Sequence, residues 1–177
     1  ISGIITVSDA ARLSLLHSTH AQRIGRVYNS LNPFFASAPP HCDTRYTSKT
    51  IVFCGYLGES KGAHLVLRMW PMLKELEPTA KLLMAGSGKL YKTATPTGPL
   101  GLASPLFERN YLAPITEKYG SLENSGISFL GLMTPAELKD TYSKSALGFI
   151  NFNWSNFTET FCCVGAEMLP TELPIFS

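Results

Sequence analysis

Two glutamates stand eight positions apart in Glu159-Thr160-Phe161-Cys162-Cys163-Val164-Gly165-Ala166-Glu167, after a hydrophobic segment that ends in a polar loop. If a helix begins near Thr158, a rise of about 1.5 Å per residue sets the two carboxylates about 12 Å apart along its axis. The unpaired amides of that helix start lie near the first carboxylate and suit a phosphate. One carboxylate can then accept hydrogen bonds from a sugar and the other from a ribose, with a diphosphate between them. A solvated helix face carries the same pair, and the spacing alone does not separate the two readings.

Groups of this kind need a scaffold, and from Thr50 onward the chain alternates between short apolar runs and helical patterns. Ile51-Val52-Phe53-Cys54 reads as a strand running into Gly55. Residues 61–76 carry Leu65, Met69, Trp70, Leu73 and Leu76 at helical spacing, with Pro71 removing one helix hydrogen bond. Lys81-Leu82-Leu83-Met84-Ala85 is a second strand, closed by Gly86-Ser87-Gly88, and Ile127-Ser128-Phe129-Leu130 is a third. Thr134-Pro135-Ala136-Glu137 combines an N-cap, a proline in the first turn and a capping-box acid. Ala146-Leu147-Gly148-Phe149-Ile150 is a fourth strand, and the segment at Leu173 continues the alternation. This repetition predicts an α/β fold, a Rossmann-like doubly wound parallel sheet with helices on both faces.

Two stretches depart from that rhythm. Residues 89–125 hold Pro96, Pro99, Pro105 and Pro114 and read as an insertion with one short helix near 111–119. Residues 1–48 read as a crossover with first elements: a strand at Ile4-Ile5-Thr6-Val7, a helix capped by Ser8-Asp9 and reaching about His17, and a strand at Arg26-Val27-Tyr28-Asn29. A linker or surface loop follows over 33–48. The main domain is then 49–177. The chain begins at Ile1 inside an apparent strand and stops where another begins, so a fragment of a longer protein is expected.

With 177 residues, 45% hydrophobic and 16% charged, the chain can bury one ordinary core and is neither disordered nor fibrous. A formal charge of +2 argues for neither nucleic acid nor an anionic membrane. Cys42, Cys54, Cys162 and Cys163 form no C-x-x-C pair, which fits a reducing cytoplasm. His17, His20, His41 and His64 make no ligand cluster, and no serine, histidine and acid constellation is evident. No apolar run reaches bilayer length. Membrane contact would come through a partner domain.

Ligands of doubly wound sheets sit beyond the carboxyl ends of the strands. There the chain places Gly55-Tyr56-Leu57-Gly58-Glu59-Ser60-Lys61-Gly62, then Gly86-Ser87-Gly88, then Gly131-Leu132-Met133, and finally the Glu159 segment. Glycines permit close backbone approach, and Lys61 supplies a cation at a helix start. The first of these loops is neither a Walker A sequence nor G-x-G-x-x-G. In this order and spacing, together with Val7-Ser8-Asp9-Ala10-Ala11-Arg12 and Val27-Tyr28-Asn29, the chain resembles the nucleotide-binding C-terminal domain of group 1 retaining glycosyltransferases of the GT-B fold.

The resemblance implies a donor-binding domain that takes a nucleoside diphosphate sugar and passes its sugar to an acceptor sugar, lipid or small molecule. Lys61 would neutralise the donor diphosphate as the leaving group. Glu159 would hold the transferred sugar, and the amides of Thr160 and Phe161 would meet the phosphates. Glu167 would bind the ribose, the backbone at Gly131 and Leu132 the base, and Gly86 and Gly88 would line the floor. Gly55, Tyr56 and Gly62 belong to the phosphate loop. No metal or other cofactor is implied, and the acceptor domain would precede Ile1, so the isolated chain is expected to bind donor and transfer nothing. Tyr56 stands where the family usually has arginine, and Cys162 where it has glycine; Met168-Leu169-Pro170-Thr171-Glu172 replaces its small residues. The alternative is a non-catalytic nucleotide-binding or interaction module with a degenerate donor site.

Overall fold

The computed structural model describes residues 2–37, 43–90, 94, 96–150 and 161–177. It opens with a small β-α-β unit, in which β1 (Ile4–Thr6) and β2 (Ile24–Arg26) pair in parallel. Between them runs α1 (Asp9–Ser14), whose N-cap Ser8 accepts a hydrogen bond from the Ala11 amide at 3.1 Å. That bond satisfies one of the donors a helix start leaves unpaired. β2 precedes the expected strand, sharing only Arg26 with it, and Val27 adds one more backbone bond to Thr6 at 2.9 Å.

The stretch expected to be a linker is partly built into the body. α2 (Pro33–Ala36) is capped by Asn32 and sends Phe35 into the interior, 1% exposed. A 3-10 segment, Asp43–Ser48, carries Arg45, which is buried and donates to the Thr171 carbonyl at 2.8 Å. Both anchors reach residues distant in the chain, so no local periodicity announces them.

The main sheet consists of β3 (Thr50–Cys54), β4 (Lys81–Ala85), β5 (Ile127–Gly131), β6 (Leu147–Phe149) and β7 (Ile175–Phe176). It is parallel throughout, in the order β5-β4-β3-β6-β7. The helices between these strands are α3 (Ala63–Leu76), α4 (Pro105–Phe107), α5 (Ala113–Tyr119), α6 (Pro135–Lys144) and α7 (Cys163–Met168). The chain builds outward from β3 through β4 to β5, then returns across to β6 and β7. β3 and β6 are neighbours whose following crossovers leave in opposite directions, and this opens a crevice at their carboxyl ends.

Side-chain alternation divides the interior into two layers. Ile51 and Phe53 of β3 pack with Leu82 and Met84 of β4 against Val66, Leu67 and Trp70 of α3. Val52 faces the other way, toward Phe35, Tyr142, Met168 and Leu173. A period of two on the strands therefore places helices on both faces, as expected.

Three helices differ in detail from their sequence patterns. α3 begins at Ala63, after a 3-10 turn at Glu59–Lys61 and Gly62 with φ 78°, and runs through Pro71. In the stretch expected to be an insertion, helical structure starts at Pro105 and continues through a π turn, Glu108–Leu112, into α5. The widened turn lies just ahead of Pro114, which has no N–H to donate. Phe107, Leu112 and Ile115 join the first core layer, so this stretch is the crossover between β4 and β5. α7 begins at Cys163, not near Thr158. By contrast, α6 carries the full capping box between Thr134 and Glu137. Among the described residues no helix is long and apolar enough to cross a membrane.

Trp70 is fully buried, and its indole N–H donates to the Ser125 carbonyl at 2.8 Å. Trp70→Phe removes that donor and leaves unfilled space, so it should cost about 2 kcal/mol. Urea unfolding followed by circular dichroism should show a lower midpoint with an unchanged slope.

Candidate functional site

The loops that leave β3, β4 and β5 are stitched to one another by backbone bonds that prolong the sheet. Gly55 N–H donates to the Ala85 carbonyl at 2.9 Å, Gly86 N–H to Gly131 at 2.8 Å, and Leu57 N–H to Ser87 at 3.3 Å. Gly86 has φ 129°, and a Cβ built on it would overlap the Gly55 carbonyl oxygen. These two glycines therefore serve a close approach of chain to chain.

Above the stitched loops lies a cavity of about 350 Å³ at the switch between β3 and β6. It brings together Gly55, Tyr56, Lys61, Gly86, Leu132 and Phe161 of the residues singled out by sequence. Among the described lining residues Lys61 is the one basic group and none is acidic; Leu90, Met133, Leu138 and Val164 make much of the wall apolar. A second cavity of about 340 Å³ shares Gly86 and Leu132 with the first and is lined further by Gly131, Gly101 and Leu102. The combination suits an anionic group beside Lys61 and an apolar or flat body next to it.

The other sequence candidates lie elsewhere. Gly62 links the Lys61 turn to α3 and lines neither cavity. Gly88 also lines neither: a Cβ there would press on the Ala103 Cα at 2.5 Å, which places this glycine against the 98–103 loop. Glu159 and Thr160 lie outside the described residues. Phe161 precedes the N-cap of α7, so its amide is not part of the helix start. Phe161 and Cys162 are not helical, so no unbroken helix runs from position 159 to Glu167.

Cys162 is the N-cap of α7, and its sulfur accepts the Gly165 amide at 3.3 Å. The Cys163 amide turns back to the Phe161 carbonyl at 3.1 Å. A side chain thus occupies one of the donors that a glycine at position 162 would leave open.

Beneath the cavity burial favours the protonated form of the titratable groups. Burial pushes the Cys54 thiol up to about 11, and the charge of Glu167 acts in the same direction. Burial also raises the Tyr142 hydroxyl far above its ordinary value; it sits beside Cys54 without a hydrogen bond of regular geometry. Glu167, on α7, is half-buried, and burial alone raises its carboxyl above the usual carboxylate range. It lines neither cavity, but its charge reaches the Cys54 thiol of the cavity wall.

Sequence reasoning missed the residues that fix the Lys61 turn. Tyr111, in the π turn, donates its hydroxyl to Glu59 at 2.6 Å and packs its ring against His64 at 5.5 Å and Phe107 at 4.9 Å. Burial lowers the His64 imidazole from its ordinary value. An aromatic residue facing a helix across a crossover has no local sequence signature. Within 89–125 the aromatic residues Tyr91, Phe107, Tyr111 and Tyr119 are too scattered to point to it.

No family model matches the chain, and no match is found among curated proteins. Among solved structures it is similar to a variant of Staphylococcus aureus TarM in complex with fondaparinux, alpha-GlcNAc-glycerol and UDP, with a TM-score of 0.69 and 16% identity. It is also similar to the pneumococcal O-GlcNAc transferase GtfA in complex with UDP and GlcNAc, at 0.62 and 15%. A third similar structure is sucrose-phosphate synthase from Thermosynechococcus elongatus, at 0.61 and 15%. The matches cover 99%, 99% and 97% of this chain but 29%, 29% and 39% of those chains. The chain therefore spans well under half the length of the structures it matches, and its fold is that of a part of GT-B glycosyltransferases.

The raised Glu167 carboxyl has a consequence for stability. The folded chain keeps this proton at pH values where the unfolded chain has released it, so folding carries a penalty that appears as pH rises above the ordinary carboxylate range. Glu167→Gln removes the penalty. Thermal melts should show the substituted chain unfolding at a higher temperature at neutral pH, with the difference closing below about pH 4.

Proposed function

We propose that the chain is the donor-binding part of a retaining glycosyltransferase that moves a sugar from a nucleoside diphosphate sugar to an acceptor held by another domain. The observation that carries this reading is the cavity at the sheet's switch point, where Lys61 meets three glycine-built loops beside a contiguous second cavity. A diphosphate set against Lys61 places its nucleoside toward Gly131 and Leu132. In this reading Lys61 stabilises the leaving diphosphate without a bound metal, Glu159 orients the transferred sugar, and Glu167 receives the ribose hydroxyls. A hydroxyl donated to Glu167 would relieve the cost of its burial. A reducing cytoplasm suits cysteines that form no disulfide, and Cys54, Cys162 and Cys163 form none among the described residues.

A second reading, a binding module without catalysis, draws on two departures. Tyr56 replaces a cation in the phosphate loop, and the Cys162 sulfur takes the Gly165 amide.

Calorimetry separates the two. UDP, which two of the similar structures contain, is tested alongside GDP and ADP. Micromolar binding of one, weakened about tenfold or more in Lys61→Ala, is the outcome expected for a charge-assisted contact to phosphate. No binding of any of the three would discard the donor site in favour of the second reading. A transfer assay on the isolated chain should yield no glycosylated product, and product formation would refute the need for another domain.

A further inference from the structure

The glycines around the second cavity are of two kinds. At Gly86 and Gly88 a Cβ would collide with neighbouring backbone, so packing accounts for them. Gly101 and Gly131, which both line this cavity, have φ 72° and 69°, and a Cβ on either would meet nothing within 4 Å. Packing does not require them to be bare; their left-handed backbone does. They leave peptide faces open to the cavity, a surface on which a flat ring can lie.

The loop that carries Gly101 closes on two backbone bonds of its own, Gly98 N–H to the Ala103 carbonyl at 2.8 Å and Gly101 N–H to the Gly98 carbonyl at 3.0 Å, while its remaining amides turn to a side chain outside it. Glu108, only 2% exposed, sits at the start of the π turn and turns its carboxylate into the loop. One carboxylate oxygen accepts the amides of Leu102 at 2.7 Å and Ala103 at 2.9 Å, and the other accepts Leu100 at 2.7 Å. Gly98 closes the same turn so tightly that a Cβ would overlap this carboxylate. A buried charge is tolerated when amides satisfy it, and here all three amides belong to the loop that borders the cavity.

We infer that Glu108 is a positioning residue which, through the 98–103 loop, sets the nucleobase preference of the second cavity. This rests on the donor-site reading above. The loop lies outside every motif recognised in the sequence, and its contribution is to the shape of the cavity; the diphosphate end is left to Lys61.

Glu108→Gln keeps the size of the side chain but must turn an NH2 group toward at least one amide donor, which displaces the loop. Affinities for UDP, GDP, ADP and inorganic pyrophosphate are measured on wild type and variant by calorimetry, with folding checked by circular dichroism. The expected result is a preference among the three nucleotides that falls about tenfold in Glu108→Gln, with pyrophosphate binding unchanged. A merely structural role would instead weaken all four ligands together, and that result, or an unaltered preference, overturns the inference. Should Glu108→Gln fail to fold, Gly101→Ala at the exposed cavity border should lower the same preference; an unaltered preference there overturns it equally. Wild type that binds all three nucleotides alike also overturns it. Wild type that binds neither nucleotide nor pyrophosphate instead sinks the donor-site reading itself.

Discussion

Gly86 lies against Gly55 at a distance that no side chain could share, and the candidate site depends on that contact. It lets the loop after β4 continue the sheet's hydrogen bonding on both sides, to Gly55 through Ala85 and to Gly131 through its own amide. Three loops from three adjacent strands then form one surface. The cavities are the space left between this surface, the Lys61 turn, the 98–103 loop and the start of α7. A side chain at position 86 would push β3 and β4 apart at the end where the crevice opens.

Two carboxylates near this surface show opposite solutions to burial. Glu108 is almost fully enclosed and answered by three amides, so its charge organises a loop. Glu167 is half-buried with no cation or amide partner among the described residues, and its proton is held more tightly as a result. Protein interiors tolerate the first arrangement readily and the second only at a cost. Glu167 is on the helix that borders the main cavity, although it lines neither cavity itself.

The basic group is positioned as firmly as the acids. Lys61 ends a 3-10 turn whose first residue, Glu59, is tied to Tyr111 of the π turn, and His64 and Phe107 pack on the same ring. The crossover between β4 and β5 thus reaches both cavities, through Tyr111 to the Lys61 turn and through Glu108 to the second cavity. Residues 105–119 would otherwise be a covering helix for the first core layer.

Much of this molecule could be read from short patterns. The short apolar runs at 51–54 and 82–85, the capping box at Thr134 and the Ser8 cap all act within a few residues, so their signals survive without knowledge of the fold. Gly55, Gly86 and Lys61 were recognisable because strand ends gather at one edge of a parallel sheet. Other features needed the assembled chain. Phe35 found a core position beside Tyr142, α7 started at Cys163 once Cys162 had capped it, and Glu108 met amides of a loop folded back over it. Gly62 and Gly88 turned out to serve turns and packing because their neighbours come from distant segments. Local preference is encoded in spacing along the chain. Which glycine faces a cavity and which faces a backbone depends on strand order and loop approach, and those exist only after the sheet has formed.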